Sequence, residues 1–322
     1  MTHRQQGLVV IGVAVFLVVV VAGLRPDLVT GAAQAAPVPG PPVVGDCVLD
    51  PVPGPPMRAL VTDASGGTVP VYPAQQIRPC TGTRYGEITA VIATPKPTVV
   101  KGRGTSDRYL DDPNQTSCAF AAAPYVGMTT QPIQGFWQTY LQITSGLSRP
   151  SARQQAAGQR WAACIVTLRP SDPGSATATA PAQAVAQYGS SLRDALHSGR
   201  QRDQLGTCIP AVDWDRGPVT DGCRQPHTLE ILAFGDSGDH PVTRVQVELS
   251  CRQLVRDLTA MPDPTVAGAL SIQIHVEDSS SIAITTPQVP AHSYLACGIT
   301  TTGSRKLRGS LIALGRQPIP WA

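Results

Sequence analysis

Two residues in the second half of the sequence could do acid–base chemistry. His227 and Glu230 lie three positions apart, shortly after Cys223. A histidine and a carboxylate can transfer protons or bind a metal ion together when their side chains meet. In a β-strand, however, side chains three positions apart point to opposite faces. We therefore interpret Pro226-His227 as a turn that leads into a strand, and predict no joint catalytic role.

A second segment, residues 235–238, reads Gly-Asp-Ser-Gly, the core of a serine-protease nucleophile motif. Its serine would need a histidine base, which chymotrypsin-like proteases place well upstream. Here no histidine occurs between His3 and His197. Gly, Asp and Ser are also common turn residues, so we predict a turn. Ser190 and Ser310 lack the Gly-x-Ser-x-Gly elbow of hydrolases and are expected to start strands.

The sequence shows no motif for a cofactor, a metal ion or a nucleic acid. It contains no Cys-x-x-Cys pair, no glycine-rich phosphate loop and no carboxylate cluster suited to a metal. Charged residues make up 15% of the 322 residues, and the net charge of +3 is spread along the chain. Without a dense basic block, no nucleic-acid partner is expected. We predict no catalytic, cofactor-binding or metal-binding residue.

The N-terminal part of the chain indicates export. Residues 7–24 form a run of 18 residues without a charge, which as a helix is about 27 Å long and close to the ~30 Å hydrocarbon core of a bilayer. Arg4 precedes this run and favours a cytoplasmic N-terminus at residues 1–6. The run is interpreted as a retained membrane anchor or, because Ala33-Gln34-Ala35 resembles a cleavage site, as the signal peptide of a secreted protein. Either way, the bulk of the chain lies outside the cytoplasm.

Eight cysteines agree with export, because disulfides persist in oxidising compartments. They are Cys47, Cys80, Cys118, Cys164, Cys208, Cys223, Cys251 and Cys297. Their spacing reveals an internal repeat, since 46 residues separate Cys118 from Cys164 and also Cys251 from Cys297. A segment that begins at Glu87 matches one that begins at Glu230, each seven residues after a cysteine.

Each repeat is expected to be a small α+β domain, in which a twisted antiparallel sheet carries one main helix. The predicted strands cover residues 87–93, 161–168, 228–234 and 293–299. The predicted helices cover residues 113–125 and 241–261, the second with Asp239 as its cap and Pro241 in its first turn. A Pro/Gly-rich linker at 25–43 precedes repeat one at 44–197, which contains a low-complexity insertion at 171–183, and repeat two covers 205–322.

Four cysteines in each copy can form two bridges locally, so the disulfides are expected to stay within the repeats. The predicted pairs are Cys47–Cys80 and Cys118–Cys164 in repeat one, and Cys208–Cys223 and Cys251–Cys297 in repeat two.

A set of short motifs in repeat two carries a family resemblance. They are Gly206-Thr207-Cys208, the segment from Cys223 to Glu230 (CRQPHTLE), Cys251, Tyr294-Leu-Ala-Cys297, Gly309-Ser310-Leu311 and Pro318-Ile-Pro320-Trp321. With these motifs the chain resembles the actinobacterial septum-formation family of membrane-anchored envelope proteins. Repeat one matches in outline, with Arg84 at the place of His227 and Thr83 at the place of Pro226. The resemblance implies a cell-envelope location and a link to cell division.

Two classes of function fit these features. The first is a non-catalytic envelope protein that binds a protein or cell-wall partner, with Glu87, His227 and Glu230 as candidate partner-binding residues. Because Arg84 stands in its place in the other repeat, His227 is expected to be dispensable for folding. The second is an exported hydrolase, which would require a deep pocket lined by at least two of His227, Glu230 and Asp236.

Overall fold

The computed structural model describes residues 37–50, 59–62, 68–71, 75–96, 99–101, 109–111, 114–129, 135–169, 186–210, 222–278 and 280–322. The predicted N-terminus at 1–6, the apolar segment at 7–24, the linker up to residue 36 and the insertion at 171–183 lie outside these ranges. Among the helices that are described, none combines the length and apolar character needed to cross a bilayer. Residues Gly40–Ala322 form one compact unit.

The described part of the chain is α+β, as predicted. In chain order, the strands are β1 (Cys47–Val48), β2 (Ala59–Thr62), β3 (Thr68–Val71), β4 (Ile77–Arg78), β5 (Gly86–Ile92), β6 (Val99–Lys101), β7 (Tyr109–Asp111), β8 (Trp137–Thr139), β9 (Ile143–Ser148), β10 (Ala162–Leu168), β11 (Thr207–Ile209), β12 (Leu229–Asp236), β13 (Val242–Thr243), β14 (Leu270–Glu277), β15 (Gln288–Val289) and β16 (Tyr294–Thr301). The helices are α1 (Asn114–Val126), α2 (Ala152–Ala156), α3 (Ala195–Ser198), α4 (Arg202–Leu205) and α5 (Arg244–Thr259).

Two antiparallel sheets repeat the same arrangement of strands. The first has the order β4-β1-β5-β10-β9 and the second the order β11-β12-β16-β14. Along the chain, β1, β5, α1, β9 and β10 of the first half correspond to β11, β12, α5, β14 and β16 of the second. Short pairs β2-β3, β6-β7 and β13-β15 form separate ribbons. The internal repeat read from the cysteine spacing thus has a structural counterpart in strand order and direction.

Helix α5 begins later than predicted. Thr243 is its N-cap and forms a capping box with Gln246, in which each side chain accepts a hydrogen bond from the backbone N–H of the other residue. This reciprocal pairing satisfies two N–H groups at the helix start, which leaves Asp239 and Pro241 before the helix rather than in its cap and first turn. Helix α1 lies within one residue of the predicted limits at both ends.

The four predicted disulfides are confirmed. Their partners are Cys47 with Cys80, Cys118 with Cys164, Cys208 with Cys223, and Cys251 with Cys297. In each half, one bridge ties the main helix to a central strand, α1 to β10 and α5 to β16. The other closes a loop near the first strand of the half.

The two halves share one core. The largest apolar cluster combines Trp137 and Leu168 of the first half with Leu254 and Leu295 of the second. Strand β8 of the first half also pairs with β12 of the second, next to β11 on the same edge. The indole Nε1 of Trp137 donates to Ser250 Oγ at 2.9 Å, so a hydrogen bond inside this core also joins the halves.

Candidate functional site

A buried carboxylate stands at the same place in each half. Glu87 on β5 lies opposite Cys47, and Glu230 on β12 lies opposite Cys208. Neither glutamate has measurable solvent exposure, at 0% each. A carboxylate inside a protein is unfavourable unless a cation or hydrogen bonds compensate for its lost hydration. The partners of the two carboxylates therefore decide how each behaves.

Glu87 has a cation and several donors. Arg84 Nη1 donates to it at 3.2 Å, the Tyr125 hydroxyl at 2.7 Å and the Ser191 hydroxyl at 2.9 Å. The N–H of Leu192 lies 3.1 and 3.2 Å from its two oxygens. Burial, together with the contact to Glu87, raises the pKa of Tyr125 to about 12. The Tyr125 hydroxyl therefore keeps its proton and remains a donor.

Glu230 accepts hydrogen bonds from two donors in the segment that follows β16. The Ser310 hydroxyl donates to it at 2.5 Å and the Leu311 N–H at 2.7 Å, which repeats the contacts that Ser191 and Leu192 make with Glu87. The phenol is not repeated, because the position seven residues after the helix cysteine is Leu258.

Backbone bridges show that His227 occupies the place of Arg84. Arg84 exchanges two N–H···O bonds with Tyr188, each 2.9 Å long, and His227 exchanges two with Leu307, at 2.9 and 2.8 Å. The equivalence inferred from the sequence is therefore confirmed at the level of the backbone. The side chain at this place is a cation in the first half and an imidazole in the second.

The imidazole of His227 does not supply the missing charge. It is 1% exposed, and burial lowers its pKa, so the ring is neutral. Its Nδ1 donates to the carbonyl oxygen of Gln225 at 2.8 Å, while its Nε2 has no hydrogen-bond partner among the described residues. Burial therefore raises the pKa of Glu230 to about 7, an effect that the bonds from Ser310 and Leu311 only partly offset. Glu230 is expected to be about half protonated near neutral pH.

The raised pKa of Glu230 predicts that the stability of the folded state depends on pH. Its pKa rises from 4.5 to about 7 on folding, so the folded state binds the proton more tightly. The stabilisation is complete below about pH 4.5 and is lost as the pH rises through 7, a change of up to about 3 kcal/mol in the free energy of unfolding. Urea unfolding of the chain and of Glu230→Gln between pH 5 and 8 measures it, and the difference between the two curves should fall with rising pH.

Substitutions at His227 provide the matched test. His227→Arg recreates the Arg84–Glu87 arrangement and should hold Glu230 ionised. The difference in unfolding free energy between this variant and its Glu230→Gln partner should then depend little on pH. His227→Gln brings no charge, so the same difference should keep the slope with pH that it has in the unmodified chain. The pKa of His227 is itself lowered by folding, which gives a contribution of opposite sign below pH 6.5. The contribution of His227 cancels between the chain and its Glu230→Gln variant, which both contain the histidine, and the His227 variants lack it. Each His227 variant is therefore compared with its own Glu230→Gln partner. Equal slopes for the Arg and Gln variants would contradict the role assigned to the missing cation.

His227 also lies beside a disulfide. The sulfur atoms of Cys208 and Cys223 and a ring nitrogen of His227 lie within 4.8 Å of one another. Such a group resembles a metal-ligand set, but a cysteine binds metal as a thiolate, and here the two sulfurs are bonded to each other. The three residues therefore form a buried structural cluster.

The residues proposed for partner binding are inside the protein. Glu87, His227 and Glu230 are each at most 1% exposed. Direct contact with a partner would require the surrounding structure to open, so we assign them a structural role in the folded state. The burial of these residues could not be predicted from the sequence, because the pattern of a strand does not show which of its faces another element covers.

The turn predicted for the Gly-Asp-Ser-Gly segment is wrong for Gly235 and Asp236, which are the last two residues of β12 and pair with β16. The chain leaves the strand only at Ser237 and Gly238. Gly238 has φ +76° and its N–H donates to Asp236 Oδ1 at 2.6 Å. The hydroxyl of Ser237 donates to the carbonyl of Pro290 at 2.7 Å and accepts from the Ser293 N–H at 2.8 Å, so it fastens the turn to a neighbouring loop.

The prediction that Ser190 and Ser310 start strands is wrong, because both lie in irregular segments. The cause lies in the hydrogen bonding of this region. The segment around Ser310 turns so that its hydroxyl and the following N–H reach Glu230. A strand in the ladder would direct that N–H to a neighbouring strand instead.

An open cavity of about 530 Å³ lies beside the C-terminal half of α5. Arg252 and Arg256 line one wall, the loop at Asp263 lines another, and the half-buried Ile272 of β14 supplies apolar surface. None of His227, Glu230 and Asp236 lines this cavity, so it is not the pocket that the hydrolase hypothesis required.

Sequence reasoning did not single out this cavity, although one signal was present. Arg252 and Arg256 are four positions apart on a predicted helix, and residues with that spacing share a helix face. What the sequence could not show is that the loop after the helix and the edge strand β14 come together around this face.

Comparison with known proteins returned no matching family model, no matching curated protein and no matching solved structure.

Proposed function

We propose that this chain is a non-catalytic, membrane-anchored protein of the cell envelope, with its bulk outside the cytoplasm. In this proposal it binds a protein or cell-wall partner and takes part in septum formation. The four disulfides carry the proposal, because such bonds form and persist outside the cytoplasm. The uncharged run at 7–24 supplies the proposed anchor.

The proposed architecture is a duplicated unit that follows the anchor. The matched strand order of the two sheets and the matched bridges at Arg84 and His227 support a duplication of one α+β module. The shared core and the β8–β12 pairing support two modules that act as one body.

A binding role is favoured over a catalytic one by the burial of the polar clusters. The hydroxyl of Ser310 points to Glu230 and both residues are 0% exposed. A nucleophile and its base must reach a substrate, which these positions do not allow in the folded state. In contrast, exposed arginines line the cavity beside α5.

Fusion of alkaline phosphatase after Ala322 tests the location. The enzyme needs its own disulfides, so it should be active in the fusion and inactive when residues 7–24 are deleted. In the same strain background, a fluorescent fusion that matures outside the cytoplasm should concentrate at the septum of dividing cells, and crosslinking should recover envelope proteins. A stable but inactive phosphatase fusion would contradict the proposed topology, and uniform fluorescence over the envelope would contradict the link to division.

A further inference from the structure

We propose that the cavity beside α5 binds a phosphate ester whose organic part is apolar. This inference rests on the proposed binding function and names the ligand class. The defining residues are Arg252 and Arg256, which project from successive turns of the helix into the cavity.

The two guanidinium groups are available for a ligand. Arg252 and Arg256 are both exposed, and neither makes an ion pair or hydrogen bond through its side chain within the described ranges. A guanidinium binds oxyanions through paired N–H groups in a fixed fork. Two forks four residues apart can serve more oxygens than the two of a carboxylate, and a phosphate monoester offers three.

A third donor lies on the strand side of the cavity. Ser271 Oγ accepts a hydrogen bond from Gln273 Nε2 at 3.0 Å, and its own proton has no acceptor among the described residues. The hydroxyl of Thr302, in contrast, is already used, because it donates to the carbonyl of Gly268 at 2.7 Å. Ser271 can therefore donate to an oxyanion held by the arginines.

The remaining walls favour an apolar group next to the anion. Ile272 lies half-buried on β14, which is the edge strand of the second sheet, and the buried residues Leu270 and Pro264 lie behind it and in the facing loop. On the outward face of α5, Val245 and Leu249 are 62% and 61% exposed, at positions seven and three residues before Arg252. Exposed apolar surface next to two cations matches an amphipathic anion better than a free inorganic ion.

The loop opposite α5 is held in one shape by its own hydrogen bonds. Asp263 accepts from the Thr265 hydroxyl at 2.6 Å and from the N–H groups of Thr265 and Ala267 at 2.9 Å each. Val266 and Ala267 have φ of +49° and +52°, a backbone conformation that is unfavourable for a β-branched residue. These bonds stabilise the strained turn and also disperse the negative charge of Asp263. Because Asp263 is still a carboxylate, the anion is expected at the arginine end of the cavity, away from it.

Calorimetric titration tests the proposal on the full-length chain in nanodiscs of phosphatidylcholine. Hexyl phosphate should bind saturably, inorganic phosphate more weakly, and 1-hexanol without saturation. Arg252→Gln and Arg256→Gln should each weaken hexyl phosphate binding by about tenfold or more, the usual range for a lost charge-assisted hydrogen bond. Arg316→Gln removes an exposed arginine outside the cavity and should have no effect.

Three results would overturn the proposal. They are the absence of saturable hexyl phosphate binding, equal affinity in the arginine variants that retain their melting temperature, and equal affinity for inorganic phosphate. Repeating the titration in nanodiscs that contain phosphatidic acid, a lipid phosphate monoester, identifies the source: competition supports a lipid headgroup, and unchanged binding supports a soluble ester. A negative titration with an active phosphatase fusion and septal fluorescence would reject this ligand and leave the proposed function standing.

Discussion

Replacing Glu87 with Gln is expected to lower the free energy of unfolding by about 3–5 kcal/mol, the range for removing one partner of a buried ion pair. The physical reason is Arg84, whose side chain is 8% exposed and pairs with Glu87 at 3.2 Å. Without the carboxylate, Arg84 keeps its bond to the carbonyl of Gly189 at 2.6 Å but remains a buried charge without a counter-ion. Urea unfolding followed by circular dichroism measures the loss.

Glu230→Gln is the matched control, because it changes the equivalent residue in the second half. Among the described residues no cation forms an ion pair with Glu230, and the charge of Arg202 offsets the effect of burial only in part, so Glu230 is partly protonated at pH 7. An amide resembles a protonated carboxyl in shape and charge. Its loss should therefore be about 1 kcal/mol or less. If both variants lost the same free energy of unfolding, the ion pair of Arg84 with Glu87 would not be the reason for the loss in Glu87→Gln. The double variant Arg84→Met with Glu87→Gln should recover part of the stability, since it removes the uncompensated charge as well.

Removing the Cys251–Cys297 bridge is expected to cost about 4 kcal/mol, because the bond closes a loop of 46 residues in the unfolded chain. It also holds α5 against β16, and both cysteines are 0% exposed. The variant Cys251→Ala with Cys297→Ala avoids a free thiol, and its unfolding in urea, without reductant, gives the change directly.

The Cys208–Cys223 bridge provides the comparison. It spans 15 residues, for which the same chain-entropy estimate is about 3 kcal/mol. His227→Arg should cost about 1 kcal/mol or less at pH 7, because the equivalent buried place in the other half already holds Arg84, paired with Glu87. A bridge removal that costs no more than His227→Arg would show that the disulfides add little to the stability of the folded state.

Local spacing in the sequence was enough to determine several features. The equal intervals from Cys118 to Cys164 and from Cys251 to Cys297 identified the repeat, and two local bridges per copy then gave the pairing that the structure has. The equivalence of Arg84 and His227 also followed from alignment of the copies. Helix α5 was found from apolar spacing and turn residues, because such signals depend on neighbours a few positions away. Helix α1 was found as its alanine-rich counterpart in the other copy.

Other features depend on contacts between distant segments. The start of α5 was predicted too early, since the sequence offered Asp239 and Pro241 while the capping box at Thr243 decided the boundary. The pairing of β8 with β12 joins Gln138 to Phe234, which is 96 positions later, and no local pattern in β8 specifies that partner. The shared core of the two halves follows from the same long-range packing.

The two glutamates show most clearly which properties the sequence determines and which the tertiary structure decides. The sequence determined that Glu87 and Glu230 are equivalent, because each follows a cysteine by seven residues. Only the tertiary structure decided that both are buried and that one has Arg84 and Tyr125 as partners while the other has two donors from a turn. A pKa depends on solvation and on charges brought near by folding. Residues with the same sequence position in a repeat can therefore have different chemistry.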